Sequence, residues 1–233
     1  LVASERLDLF HPAFQEYLIG LLSDLAVGGV DGVFFRTDVS LESSEGFSSY
    51  GFKGFERDFG VKLDPATLYA SADLGASGKN QRDSAPEFWR WVGWRARETL
   101  RVMDRLRQAL RKQSPQLQFA LGVHPEAVTD PLGALVRLNE DLLEAKRLRF
   151  DSYVIGEPLS AGTGGGERLA EIVERAVKLI GEAGQIWAAV PPSDQESARG
   201  FTGLKPEADR MPFAKGTGIM YMPIQRVPAG AVP

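Results

Sequence analysis

Short apolar runs alternate along the chain with longer stretches in which apolar residues recur every three or four positions. The runs Val30 to Arg36, Leu117 to Val123, Ser152 to Gly156, Ile186 to Val190 and Ile219 to Ile224 are the length and composition of buried parallel strands. Between them lie helical patterns. Phe14, Leu18, Leu21, Leu22 and Leu25 form a stripe that opens at Pro12 and closes at Gly28 and Gly29, as proline and glycine do at helix ends. Phe88, Trp91, Val92, Arg95, Thr99, Met103, Leu106 and Leu110 form a longer stripe, with Ser84 as N-cap, Pro86 in the first turn and an end before Pro115. Leu132 to Arg147 and Glu167 to Glu182 supply two further helices. From Phe119 onward the period is about 30 residues, the size of a strand plus its crossover helix.

This alternation predicts an α/β fold with a parallel sheet. Crossovers on one side make such a sheet part of a (β/α) TIM-type barrel, whereas crossovers on both sides leave it open. Five runs against the eight of a full barrel favour the carboxyl-terminal part of a barrel lacking its first strands, with residues 1–233 as a single domain. The chain starts at Leu1, and LVASERLDLF lacks the basic start and apolar centre of a signal peptide; the natural protein is expected to begin earlier. The interval Val39 to Ala85 is far longer than an ordinary strand-to-helix loop. Its Tyr50, Phe52, Phe55, Phe59 and Tyr69 argue for order, so 39–85 reads as a lid over the rim, frayed around Gly75 to Asp83.

Composition narrows the chemistry. The 233 residues are 43% hydrophobic and 25% charged, enough to bury a core. A net charge of -4 and a pI near 5.4 provide no basic field for a nucleic acid backbone. The chain has no cysteine, which removes disulfides and thiolate ligands. Its two histidines, His11 and His124, stand far apart, so no metal site is expected and no cofactor is implied. No apolar run is long enough to span a bilayer.

Candidate chemistry gathers at the carboxyl ends of the strands, where parallel sheets bind ligands. The first run ends at Arg36, Thr37 and Asp38, and the third is followed by Glu157 and Pro158. Glu45 and Glu126 lie on loops. Asp38 with Glu157 or Glu45 are candidates for a pair of carboxyl groups doing acid and base work; the plainer roles are a cap or an ion pair with Arg36 for Asp38, and solvated loop carboxylates for the others. Trp187, Tyr221 and Tyr50 offer aromatic faces on which a ligand could stack, or else pack in the core. His124 offers a hydrogen bond or proton transfer. Gly162 to Glu167, GTGGGE, lacks the lysine of a phosphate loop and reads as a turn. The arginines of Arg90 to Lys112 read as a solvated face.

The stretch DLFHPAFQEYLIGLLSDLAVGGVDGVFFRTDVSLESSEGF resembles the carboxyl-terminal glycoside-hydrolase domain of PgaB/HmsF-type poly-N-acetylglucosamine deacetylases. There a turn and helix precede a strand reading approximately Phe-Asp-Gly-(Ile/Leu)-Leu-Phe-His-Asp-Asp. Val30-Asp31-Gly32-Val33-Phe34-Phe35 matches the strand. The family's His-Asp-Asp is here Arg36-Thr37-Asp38, so Thr37 replaces one of two tandem carboxylates and Asp38 alone carries over; Glu42 and Glu45 match the following acidic cluster loosely. The resemblance implies an extracytoplasmic barrel that cleaves partly deacetylated poly-N-acetylglucosamine in biofilm export, beside an upstream deacetylase domain that is absent here. The alternative is a non-catalytic barrel that binds the polysaccharide and guides it to the deacetylase, and a hydrolase of cell-wall glycans is a more distant third.

Overall fold

The computed structural model describes residues 7–70, 86–156, 165–190 and 217–221. Its strands are β1 (Gly32–Phe35), β2 (Gln118–Val123), β3 (Ser152–Ile155), β4 (Gln185–Val190) and β5 (Gly218–Tyr221). All four pairings are parallel and the strand order is sequential, β1-β2-β3-β4-β5. The expected α/β class and parallel sheet are therefore present. A sequential order contains no reversal, so right-handed crossovers place the connecting helices on one face.

The helices are α1 (Pro12–Val27), α2 (Ser49–Phe59), α3 (Pro65–Ala70), α4 (Pro86–Gln113), α5 (Glu126–Thr129), α6 (Pro131–Arg137), α7 (Leu142–Leu148) and α8 (Gly165–Ile180). Strand alternation sorts the sheet's two faces. Phe35, Phe119, Tyr153 and Ile186 face the helices: Phe35 packs its ring near Phe119 and Phe150, and the Tyr153 hydroxyl donates to the Ala145 carbonyl of α7 at 3.0 Å. In register on the opposite face lie Gly122, Val154, Trp187 and Gly218.

Three expectations need correction. The stretch Leu132 to Arg147 is two helices, because Asn139 takes a left-handed conformation (φ 54°) and the Asp141 carboxylate caps α7 by accepting from Glu144 N–H. In α1, Leu18, Ile19 and Leu22 pack on the core, whereas Leu21 and Leu25 are 43% and 51% exposed beside Tyr17; α4 covers only one side of the helix. The interval from Val39 is ordered through Ala70 but holds two helices, with α2 laid against α4. Phe55 meets Trp91 and Trp94 edge-on and Phe47 stacks on Trp91 at 4.8 Å, so these aromatics thicken the helical layer. Ser84 and Gly75 to Asp83 lie outside the described residues.

The interval is fastened by one buried cation. Arg95 of α4 is 0% exposed. Its Nη1 donates to the carbonyls of Glu42, Ser43 and Glu45 at 2.7, 2.9 and 3.1 Å, its Nη2 to the Val136 carbonyl, and its Nε to Asn139 Oδ1. Asn139 Nδ2 in turn donates to Thr99 Oγ1. Farther along α4, Arg111 pairs with Asp151 at 2.7 Å and lies over the Phe119 ring, while Arg107 lies over Phe150. The arginine-rich helix is thus a clamp on the sheet as well as a solvated face.

Two outcomes follow for stability. Arg95→Met leaves several buried carbonyls without their donor and is expected to cost about 3–5 kcal/mol in urea unfolding, against less than about 0.5 kcal/mol for exposed Arg97→Met; equal midpoints for the two would contradict the clamp. Asp58 accepts from Trp94 Nε1 at 2.9 Å, and its carboxyl is held below the ordinary range first by the Arg57 hydrogen bond and then by Trp94 and Arg101. A lowered folded-state value means a contribution present above the unfolded value near 4 and lost as pH falls through the folded one. The stability gap between the parent and Asp58→Asn should accordingly narrow below about pH 4, measured as melting temperature against pH.

Candidate functional site

The strands' carboxyl ends meet at a rim built from three segments. The first is the 3-10 turn Thr37–Val39 that follows β1. It crosses directly beside β2: a Cβ placed on Gly122 would stand 3.0 Å from the Thr37 nitrogen and 3.2 Å from the Phe35 carbonyl oxygen. Both neighbours are backbone and have no rotamer with which to yield. Glycine at 122 therefore lets the turn carrying Asp38 close over the sheet face that looks away from the helices.

The second segment continues β2 through His124, Pro125 and α5, and the third is the turn between α6 and α7. These two are joined by a clamp that sequence reading missed. One oxygen of the Glu140 carboxylate accepts the His124 backbone N–H at 3.0 Å, and the other lies 2.6 Å from His124 Nδ1. The His124 side chain is 18% exposed and that of Glu140 10%. Sixteen residues separate the pair, and Glu140 directly follows the left-handed Asn139. Glu126, in the first turn of α5, has a buried Oε2 without a hydrogen-bond partner.

A cavity of about 30 Å³ lies beneath the rim, bordered by Arg36, Ser40, Glu140, Asp141, Asn139 and Thr99 with Leu100, Met103 and Leu121. It has room for one or two waters.

Of the residues expected at the site, several converge. Arg36 is exposed at the start of the rim turn, Asp38 is inside it, and His124 is on the adjacent strand end; the description of Asp38 extends to its backbone. Trp187 lies on the same sheet face, two strands from Gly122 and so about 10 Å away by strand spacing. Its ring covers Gly218, where a Cβ would come within 2.5 Å of the indole, and its buried Nε1 has no hydrogen-bond partner. Tyr221 ends β5, with its backbone alone described. Glu157 lies outside the described residues, directly after Gly156, whose N–H reaches the Val123 carbonyl at 3.3 Å. Tyr50 and Glu45 have contacts of their own. Tyr50 is 38% exposed and its ring rests 4.4 Å from that of His11, the N-cap residue of α1. Glu45 spends a carboxylate oxygen on the Glu42 N–H at 2.8 Å and its carbonyl on Arg95, the bonds of a turn.

Among the described residues, no group of three or more histidine, aspartate or glutamate side chains is arranged to hold a metal ion. No helix among them is long and apolar enough to cross a membrane.

No protein-family model and no curated protein matches the chain. Among solved structures it is similar to the PgaB (BpsB) glycoside hydrolase domain from Bordetella bronchiseptica, with a TM-score of 0.69 and 17% sequence identity, over 96% of this chain. The chain spans 60% of the length of that structure. At this identity the likeness is one of fold, and it agrees with the resemblance carried by the residues around β1.

Gly122→Ala tests the rim geometry. The added methyl must displace the Arg36–Thr37 backbone, for an expected loss of about 1–3 kcal/mol, with amide NMR shifts changing at residues 36–40 and holding in α8. Unchanged shifts at residues 36–40 would mean that the turn does not approach β2 as described.

Proposed function

We propose that this chain is an arc of a (β/α) barrel whose rim at the strands' carboxyl ends binds a polysaccharide, and that it acts as a glycoside hydrolase on partly deacetylated poly-N-acetylglucosamine. The observation that carries the reading is the fold likeness to the PgaB glycoside hydrolase domain over nearly the whole chain. The barrel reading is supported by the sequential parallel order and by what is left uncovered. β1 and β5 each have one neighbour among the described residues, and Tyr17, Leu21 and Leu25 of α1 are exposed. A further strand and helix would cover both.

In this reading Asp38 is the carboxyl group delivered by β1 to the glycosidic bond, and Glu157, following β3, is its partner across the bond. One acts protonated, as acid, and the other ionised, as base or nucleophile. Arg36 and His124 contact sugar hydroxyls, while Trp187 and Tyr221 lie along the path of the polymer. Tyr50 and Glu45 take more peripheral parts. The expected setting is extracytoplasmic, next to a deacetylase domain.

A second reading, a barrel that binds and guides the polymer without cutting it, is favoured by a specific observation. Glu45 and Glu140 already hold backbone N–H groups, and Thr37 stands where the family resemblance has an aspartate. Few described rim carboxylates are left for chemistry.

Incubating the parent and Asp38→Asn with partly deacetylated and fully acetylated poly-N-acetylglucosamine, with mass spectrometry of the products, separates the readings. The hydrolase reading expects shorter oligomers from the parent and a rate lower by about 100-fold or more in the variant. Binding by both proteins with no products would establish the guiding barrel, and neither binding nor products would refute both.

A further inference from the structure

We propose that the outward face of α1 is a self-association surface, on which a second copy of this chain lays its own α1 antiparallel, about a two-fold axis at Leu21. The pairing is independent of the polysaccharide reading.

A surface helix ordinarily carries its charges on the side away from the core, and a helix that is apolar all round is a buried one. Only Glu16 and Asp24 are charged among the 16 residues of α1. Leu18, Ile19 and Leu22 pack on the core, and the opposite side is apolar as well. There Tyr17 is 63% exposed, Leu21 and Leu25 are each about half exposed, and the Phe14 ring stacks on that of Tyr17.

The order of residues along this stripe selects the occupant. Phe14, Tyr17, Leu21, Leu25 and Gly28 stand at -7, -4, 0, +4 and +7 from Leu21, the spacing of one helical face. It reads the same in both directions. An isologous contact requires this, because each position after the axis meets the equivalent position before it on the other copy. Leu21 then meets Leu21, Tyr17 meets Leu25, and the large Phe14 ring meets the exposed Gly28, which has no side chain to obstruct it.

The polar groups agree with the antiparallel sense. Asp24 is exposed in the last turn of α1, the negative end of the helix, and neither it nor the Tyr17 hydroxyl has a hydrogen-bond or ionic partner among the described residues. An antiparallel copy brings the positive amino end of its helix toward Asp24. Asp24 lies three residues beyond the axis, and Tyr17 of the second copy falls four residues beyond it on the same side of the stripe. The hydroxyl therefore donates to the carboxylate, twice by symmetry. A parallel copy would instead set Asp24 against Asp24. The apolar side chains covered amount to roughly 400–500 Å² per copy, the low end for a specific interface, which suits a reversible dimer.

Sedimentation equilibrium of the 233-residue chain should show monomer and dimer in exchange, with a Kd on the order of 10–100 µM. Leu21→Glu places two like charges on the axis and should raise Kd by about 30-fold or more, with an unchanged melting temperature. Tyr17→Phe removes only the donor and should raise it by about 5- to 10-fold; this variant decides the matter if Leu21→Glu does not fold. The chain has no cysteine, so Ala13→Cys accepts a single spin label, and labels in the antiparallel dimer should lie about 25 Å apart, against about 10 Å in a parallel one.

A monomer throughout would overturn the proposal and leave the face to a helix from elsewhere. Growth into larger species without a dimer, a parallel label distance, or a dimer indifferent to Leu21→Glu or to Tyr17→Phe would overturn it as well. Glycan binding by the parent bears on none of these outcomes.

Discussion

The guanidinium of Arg95 is the constraint around which the rim is arranged. Removing a cation from water is expensive, and the cost is recovered only if its donors are met by well-placed acceptors. Here the acceptors are main-chain carbonyls from two places far apart in sequence, 42–45 and 136, with the Asn139 side chain as a third. A loop that leaves its carbonyls in the interior must find donors for them. Arg95 supplies these in a planar fork that admits little variation in where the loops lie. The segment after β1 and the turn after α6 are thereby held to one point on α4, and through it to each other.

That arrangement explains how a sheet with short strands presents an ordered edge. β1 and β3 have only four residues each, too few to define by themselves where the chain goes next. The direction of exit from β1 is set by Gly122, which leaves room for the turn, and by Arg95, which receives the chain after it. A larger residue at 122 or a shorter one at 95 would leave the strand intact but not the geometry of the rim. The sheet provides the floor, and α4 determines the height and position of the loops above it.

Much of this was legible in the sequence, and the part that was not has a common cause. Strand positions follow from short apolar runs, and their ends agree within one or two residues for β2, β3 and β4. Helix α4 follows from its periodicity and from Pro115 beyond its end. Arg95 was legible as an anomaly, a cation at a core position of an apolar stripe, although nothing in the sequence names the carbonyls that receive it. The break between α6 and α7 was hidden because leucine periodicity continues through it; Asn139 adopts its left-handed conformation to satisfy Arg95 and Thr99, which are tertiary partners. The aromatics between β1 and α4 announced order but not location, since a ring's hydrophobicity does not say which neighbour it will cover. Glu140 escaped for the same reason. Its partner is 16 residues away in sequence, and no local pattern links a turn glutamate to a strand-end histidine.

The way carboxylates are used at the rim bears on what the fold can do there. An acid or base in glycosidic cleavage must be able to change its protonation during the reaction, and a carboxylate already committed to backbone N–H groups is poorly suited to this. Glu140 binds the main chain and the ring of His124, and Glu45 closes a turn. On the proposed reading, chemistry falls to groups outside this bracing set, Asp38 in the turn over Gly122 and Glu157 after β3. Bracing and reacting groups are divided between the elements. α4 and the turn after α6 hold the rim in place, while the ends of β1 and β3 carry the residues that the proposed reading sets against the glycan. A binding barrel and a hydrolase share the first set and differ only in the second. On the proposed reading, a chain that had lost cleavage could thus keep its rim with few changes in the rest of the fold.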